Sequence, residues 1–417
     1  YCAIRSTNTM MTMITAIFAV LLSLLPRLSL GQTPPPGVVG GGAVEFPQVV
    51  LDEITRCGSP FDAHLHLEAQ WFTPTNAQPL LAEMTSAGIA QGIIMAVYGP
   101  TDPIGVDPNE GVASFVQQSD GRLFALASLN TTGDDWETAK DKELERLTTF
   151  LEMDGFVAAK LAPPHTRLPM NSTIMRDILH AVSRTSKPIV SLHVGTTPFC
   201  GPFGDFVLGQ RGLCGPEYVD PYYLKDYIAE FSNVTFVMMH GGQDFDDGSS
   251  GDVPFYNGTN FDHTIELMGE YKDNMLLEIS AMLARTDGTY RNPLAFENLL
   301  KVVDANLQNR TLYGSDANQF PGGIASYLNS TVESLIAAGF TEEERCHILV
   351  DFPKEVYNIP NAALTSTPNT TMPSSPTAAP STPNTTMPSS PTAAPSSGGG
   401  SSRAPFNLSC LFLWITV

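Results

Sequence analysis

Apolar residues fall along this chain in short runs, separated by segments in which they recur every three or four positions. In the first run, Phe61-Asp62-Ala63-His64-Leu65-His66, apolar and polar residues alternate, which is the period of a strand. Seven further runs follow: Gly92–Val97, Leu123–Ala127, Gly155–Leu161, Pro188–His193, Val234–His240, Met275–Ile279 and Thr311–Asp316. Helical periodicity fills the gaps at Pro79–Ala87, Thr138–Met153, Thr173–Arg184, Tyr222–Phe231, Asn292–Ala305 and Ile324–Ala338. Strand and helix in alternation predict an α/β fold with a parallel sheet, and eight such units predict a (β/α)8 TIM barrel. A doubly wound open sheet is the alternative. It gives no reason for His64, His66, His193, His240 and Asp316 all to stand at the ends of strand-like runs. A barrel gathers all eight carboxyl ends around one mouth.

Outside this region the pattern breaks. The apolar stretch Ile14–Leu30 and the small-x-small sequence Ser29-Leu30-Gly31 read as a secretory signal peptide within 1–31, with Met10, Met11 or Met13 as initiator and the residues before it a gene-model extension. Residues 32–56, rich in Pro and Gly from Thr33 to Gly42, read as a linker, and 57–360 as the barrel domain. In 361–402 the segment Ser366–Pro380 recurs unchanged as Ser381–Pro395. It carries too few apolar residues to fold and reads as a disordered, mucin-like stalk. The small residues Ser396–Ser402 and the apolar tail within 403–417 resemble a glycosylphosphatidylinositol attachment signal, which would place the protein at the cell surface.

Secretion gives other features meaning. Asn130, Asn171, Asn233, Asn257, Asn309, Asn329, Asn369, Asn384 and Asn407 stand in glycosylation acceptor sequences. Cys57, Cys200, Cys214 and Cys346 would meet an oxidising compartment. The expected bridges are Cys200–Cys214, closing a Gly/Pro-rich insertion after the fifth strand, and Cys57–Cys346, clasping the two ends of the barrel. The formal charge of -21, with no basic stripe, excludes a nucleic-acid partner. A small-molecule substrate is the partner expected, and the sequence leaves the oligomeric state open.

Two histidines at alternate strand positions can share an exposed face with no function. Their coincidence with His193, His240 and Asp316 at other strand ends favours a divalent metal site instead. Imidazole and carboxylate suit zinc, and a site with one open position can bind and acidify a water.

The motifs Asp-Ala-His-Leu-His, Gly-Phe-Val-Ala-Ala-Lys-Leu, Ser-Leu-His-Val-Gly, Met-His-Gly-Gly and Tyr-Gly-Ser-Asp, in this order, resemble the amidohydrolase superfamily. They are most similar to its amidohydrolase-related branch of hydrolases and decarboxylases, which includes aminocarboxymuconate semialdehyde decarboxylase. The resemblance spans Phe61 to about Asn358 and implies one divalent metal, commonly zinc, in the mouth of the barrel. It implies His64, His66, His193 and Asp316 as ligands, Asp316 as proton carrier, and His240 as the group that orients water or stabilises developing negative charge. Lys160 stands where two-metal members carry a bridging carbamylated lysine; a substrate-facing ammonium and a structural role are the alternatives. His165, His180, His263 and His347 have no strand-end placement, and Gly241-Gly242 reads as a tight turn. Two departures bear on the reaction. Val194-Gly195 follows the fifth-strand histidine where the decarboxylases have Pro, and Asp351-Phe352-Pro353-Lys354 replaces a helix-opening Asn. Hydrolysis of an amide, ester or lactone is therefore expected first. Decarboxylation, which needs an arginine such as Arg167, Arg285 or Arg291 on the substrate carboxylate, comes second. A non-catalytic secreted protein on the same barrel is the third reading.

Overall fold

The computed structural model describes residues 46–66, 76–95, 108–131, 136–197, 213–243, 259–280, 294–317 and 323–360. Eight parallel strands follow one another around a barrel in chain order: β1 (Phe61–Leu65), β2 (Gln91–Met95), β3 (Leu123–Ala127), β4 (Phe156–Leu161), β5 (Ile189–His193), β6 (Thr235–Met239), β7 (Met275–Ile279) and β8 (Thr311–Tyr313). The expected (β/α)8 architecture is present. The ring closes between β8 and β1 through the single bridge Leu65–Ala317. Side chains stitch that seam: Asp62 Oδ1 accepts from the Ser315 and His64 backbone N–H groups at 2.9 and 3.1 Å, and Ser315 Oγ donates to the His64 carbonyl at 3.2 Å.

The helices are α1 (Gln48–Cys57), α2 (Gln78–Ser86), α3 (Pro108–Gln118), α4 (Trp136–Glu152), α5 (Pro163–Thr166), α6 (Thr173–Val182), α7 (Pro216–Val219), α8 (Lys225–Glu230), α9 (Thr259–Glu270), α10 (Leu294–Asp304), α11 (Gly323–Ala337), α12 (Glu342–Cys346) and α13 (Phe352–Val356). In α6 the apolar positions Met175, Ile178, Leu179 and Val182 form one buried face, and Ser172 caps the first turn by accepting from the Met175 N–H. In α12, Thr341 and Glu344 form a reciprocal capping box.

Three of the longer helices, α1, α3 and α9, were not expected. α3 and α9 lack a clean apolar stripe in sequence, and α1 lies inside the segment expected to be linker. Helix α1 is ordered by what it touches: Glu53 is buried, and Arg345 Nε and Nη2 donate to its Oε1 at 2.8 and 2.6 Å. Beside this ion pair the disulfide Cys57–Cys346 joins α1 to α12, the clasp expected from sequence.

Two cores result. The larger lies between strands and helices, around Leu65, Ile94, Phe156, Leu192 and Leu277. The smaller fills the barrel interior with Phe61, Ala63, Ile93, Ala158, Ile189, Val237, Leu276 and Leu312, and the chain after α13 closes its amino end with Tyr357 and Ile359. Tyr357 Oη meets Ser191 Oγ inside the barrel at 2.9 Å. These side chains pack the floor of the barrel beneath the carboxyl ends of the strands. Among the described residues no helix is long and apolar enough to cross a membrane. The stalk and the tail lie outside them.

Candidate metal centre

Strict alternation in β1 would put His64 and His66 on the face opposite Phe61 and Ala63, and those two belong to the interior core. The structure resolves the conflict with a shift of register against β2 between Asp62 and Leu65. Such an irregularity re-aims side chains. Leu65 turns outward into the larger core, and both imidazoles turn into the mouth.

There they meet Asp316. His64 Nε2 lies 3.0 Å from His66 Nε2, and the two nitrogens are 3.2 and 3.1 Å from Asp316 Oδ1. Three donor atoms at these mutual distances form one face of a ligand shell, as a metal held at about 2.0–2.2 Å requires. Sequence reading carried β8 to Asp316 and β6 to His240. Both strands end earlier, at Tyr313 and Met239, and beyond them Asp316 and His240 have left-handed backbone, φ 58° and 63°. A non-glycine residue held there stores strain, and such strain clusters at functional sites.

His193, expected as a fourth ligand, stands outside this triangle. Its ring packs edge-on against His240 at 4.5 Å between centroids, and His240 is 5.0 Å from His64. His193 Nε2 is buried and has no hydrogen-bond partner, which fits a nitrogen whose partner is a metal. Gly195 sets this neighbourhood: at φ 94°, a Cβ there would run into the backbone of Gly242 and Gln243. The Val194-Gly195 departure thus lets the turn after β5 press against the turn after β6. Gly241 and Gly242 shape that second turn, as expected.

One residue set aside in the sequence belongs here. Helix α5 places His165 beside His193, ring centroids 4.8 Å apart, with Nε2 3.1 Å from Thr197 Oγ1. The order His165, His193, His240, His64, His66 is an unbroken arc of imidazoles, five of the eight histidines in the chain. A helix of four residues right after β4 leaves no periodicity to read, so the sequence hides this placement. His263 instead pairs with Asp220 at 2.8 Å. His180 and His347 lie in helical segments.

Beneath the arc lies a charged layer. Glu278 of β7 is completely buried, and its Oε2 is 3.3 Å from His64 Nδ1, 3.1 Å from Ser280 Oγ and 3.2 Å from the His240 N–H. A carboxylate on the far nitrogen of a metal-ligating histidine fixes its tautomer and leaves Nε2 free to ligate. Neither Glu278 nor Ser280 was picked out from sequence. The available signal was an acid in the otherwise apolar strand Met-Leu-Leu-Glu-Ile. Gly314 makes room for it, since a Cβ there would collide with Glu278 Oε1 and the His64 Cβ. Lys160 is buried in the same layer, its Nζ 2.7 Å from Met239 Sδ.

Burial dominates the electrostatics. It drives the pKa values of His64, His193 and His240 well below the ordinary value, that of His66 below it, and that of His165 down to about 3. All five are neutral near pH 7, the state in which imidazole binds a metal. Burial also raises Asp62 to about 7. It pushes Glu278 up and Lys160 down, and the attraction between the two opposes both shifts. For Asp316 burial acts upward, but the His64 and His66 rings outweigh it and hold the carboxyl below its ordinary value.

Of the other candidates, Cys214 is disulfide-bonded, while Cys200, Arg285 and Arg291 lie outside the described residues. Arg167 is exposed at the end of α5.

Fold and site together define a (β/α)8 barrel with a histidine–carboxylate cluster of metal-binding type at the carboxyl ends of its strands. No protein-family model and no curated protein matches the chain. Among solved structures it is similar to a probable 2-pyrone-4,6-dicarboxylic acid hydrolase from Acinetobacter baumannii, with 16% identity over 72% of this chain and 99% of that one and a TM-score of 0.47. It is similar to a 2,6-dihydroxybenzoate decarboxylase from Rhizobium, with 14% identity over 72% of this chain and 98% of that one and a TM-score of 0.45. A manganese-bound dihydroxybenzoic acid decarboxylase from a Polaromonas species shows 13% identity over 73% of this chain and 98% of that one, with a TM-score of 0.44.

Proposed function

We propose that this protein is a metal-dependent hydrolase of the amidohydrolase superfamily that cleaves the amide, ester or lactone of a small molecule. The observation that carries the proposal is the convergence of His64 Nε2, His66 Nε2 and Asp316 Oδ1, from three motif residues, to within 3.2 Å of one another. These atoms would hold one divalent ion, zinc by the nature of the donors, with the buried, unpartnered His193 Nε2 as a further candidate ligand. Such an ion, when bound, supplies Lewis acidity that polarises a carbonyl and brings the pKa of a bound water to roughly 7.

The chain's own groups do the rest. Asp316, ionised at neutral pH, takes the proton from the attacking water and returns it to the leaving group. His240, neutral and in line with His64 and His193, orients the water or meets the developing negative charge. Lys160 lies beneath them as a buried cation, available to a substrate anion or as a counter-charge to Glu278 and Asp316. The secretory leader, the glycan acceptors and the lipid-anchored tail remain part of the proposal, which places the enzyme outside the cell.

Elemental analysis of purified protein tests the reading first. Roughly one equivalent of metal is expected, lost in the His64→Ala/His66→Ala variant. Folded protein without metal would sink it. Small amides, esters and lactones assayed beside carboxylated aromatic acids, with Asp316→Asn as control, then test the reaction. Release of carbon dioxide with no hydrolysis would make the protein a decarboxylase instead.

A further inference from the structure

His240 can serve the reaction in two opposite ways. With a hydrogen on the nitrogen facing the reaction it donates, and so stabilises negative charge. With a lone pair there it accepts, and so orients or deprotonates water. Its neighbours on β7 distinguish the two.

Ser280 Oγ lies 2.6 Å from His240 Nδ1 and 3.1 Å from Glu278 Oε2, and all three residues are buried. A hydroxyl has one hydrogen to give. Glu278 Oε2 is also approached by the His240 backbone N–H, an obligate donor, at 3.2 Å and by His64 Nδ1 at 3.3 Å. An oxygen so surrounded is an acceptor, so the Ser280 hydrogen goes to Glu278. Toward His240 the same Oγ then presents a lone pair, and Nδ1 must carry the hydrogen.

We infer that Glu278 and Ser280 act as positioning residues that lock His240 in its Nδ1–H tautomer, which leaves Nε2 as a hydrogen-bond acceptor. In the hydrolase proposed above, His240 is thereby the residue that orients the water by accepting a hydrogen bond from it, while Asp316 takes the proton, and it is not the group that stabilises negative charge. That catalytic consequence rests on the hydrolase reading; the tautomer does not. Glu278 serves both functional histidines through one atom: it turns His64 Nε2 toward the metal ligands and pins the left-handed backbone of His240 through its N–H. Deleting a carboxylate or hydroxyl of this kind, one step behind the working group, typically costs about 10–100-fold in metal affinity or activity.

The test is a two-bond proton–nitrogen correlation spectrum of the full chain labelled with 15N-histidine, recorded as purified and again after a chelator. The His240 resonances are identified by their loss in His240→Gln. The wild-type ring is expected as the Nδ1–H tautomer in both samples, Ser280→Ala as a mixture or the Nε2–H form, and Ser280→Thr, which keeps the hydroxyl, as wild type. An Nε2–H ring or an imidazolium in the wild type at pH 7.5 overturns the inference, as does a Ser280→Ala spectrum with the tautomer unchanged. Should Ser280→Ala fail to fold, the wild-type spectrum and Ser280→Thr still decide. Metal content separates the two ideas: a metal-free wild type with an Nδ1–H ring sinks the hydrolase reading and keeps the tautomer. With a substrate in hand, Ser280→Ala should retain its metal and lose about tenfold in kcat with KM unchanged.

Discussion

Replacing Cys57 and Cys346 with serine removes the bridge that ties the helix before β1 to a helix after β8. The two cysteines are 289 residues apart in sequence. In the chain-entropy model, closing a loop of that length lowers the entropy of the unfolded chain by about 19 cal/mol/K, or about 5.7 kcal/mol at 25 °C. The location adds to the effect. The barrel seam between β8 and β1 has the single bridge Leu65–Ala317, and beside the disulfide the Glu53–Arg345 pair is buried and gains a further bond from Arg345 Nη1 to the Phe340 carbonyl. With the covalent tie gone, α1 is held by that pair, by the Arg56–Glu342 ion pair at 3.1 Å and by its apolar contacts. Urea unfolding of the double serine variant, followed by far-ultraviolet circular dichroism, should show a loss of about 3–6 kcal/mol with little change in the slope. The variant keeps Cys214 and its bridge, so the difference reports on one clasp. A loss below about 1 kcal/mol would refute the view that this disulfide limits the freedom of the unfolded chain.

Three further outcomes follow from the site. Burial depresses the five histidines of the arc, so the unfolded chain binds more protons than the folded one once the pH drops below about 6.5. Below neutrality stability should therefore fall on acidification, each histidine held well below its ordinary value contributing a loss of about 1.4 kcal/mol by pH 5.5, offset in part by Asp62 and Glu278, which burial raises to about 7 and about 8 and which favour the folded state as the pH falls; urea midpoints that rise between pH 6.5 and 5.5 would contradict this. Gly195→Ala should cost at least about 2 kcal/mol and loosen metal retention, because its Cβ meets backbone. Gly269→Ala, in open space on α9, should stabilise by about 0.5–1 kcal/mol, and equal effects from the two would show that the packing of the β5 and β6 turns is unimportant.

The sequence by itself determined the eight-strand alternation, because strand and helix periods are local properties of the chain. It also presented His64, His66, His193, His240 and Asp316 as strand-end residues, and the clasp between Cys57 and Cys346. It did not determine how those residues converge. The shift of register in β1 depends on how that strand pairs with β2, and without it His64 and His66 would face away from the barrel interior. The left-handed turns that carry His240 and Asp316 are held by distant partners, Glu278 for one and the His64 carbonyl, which accepts the Asp316 N–H at 2.8 Å, for the other. Glu278 acquires its meaning only when Gly314 and His64 close around it, and α1 is anchored by Arg345 and Cys346 on the far side of the seam. A periodic pattern records which face of a segment is buried. What meets that face is decided by contacts between residues far apart in the chain, and the folded structure alone supplies them.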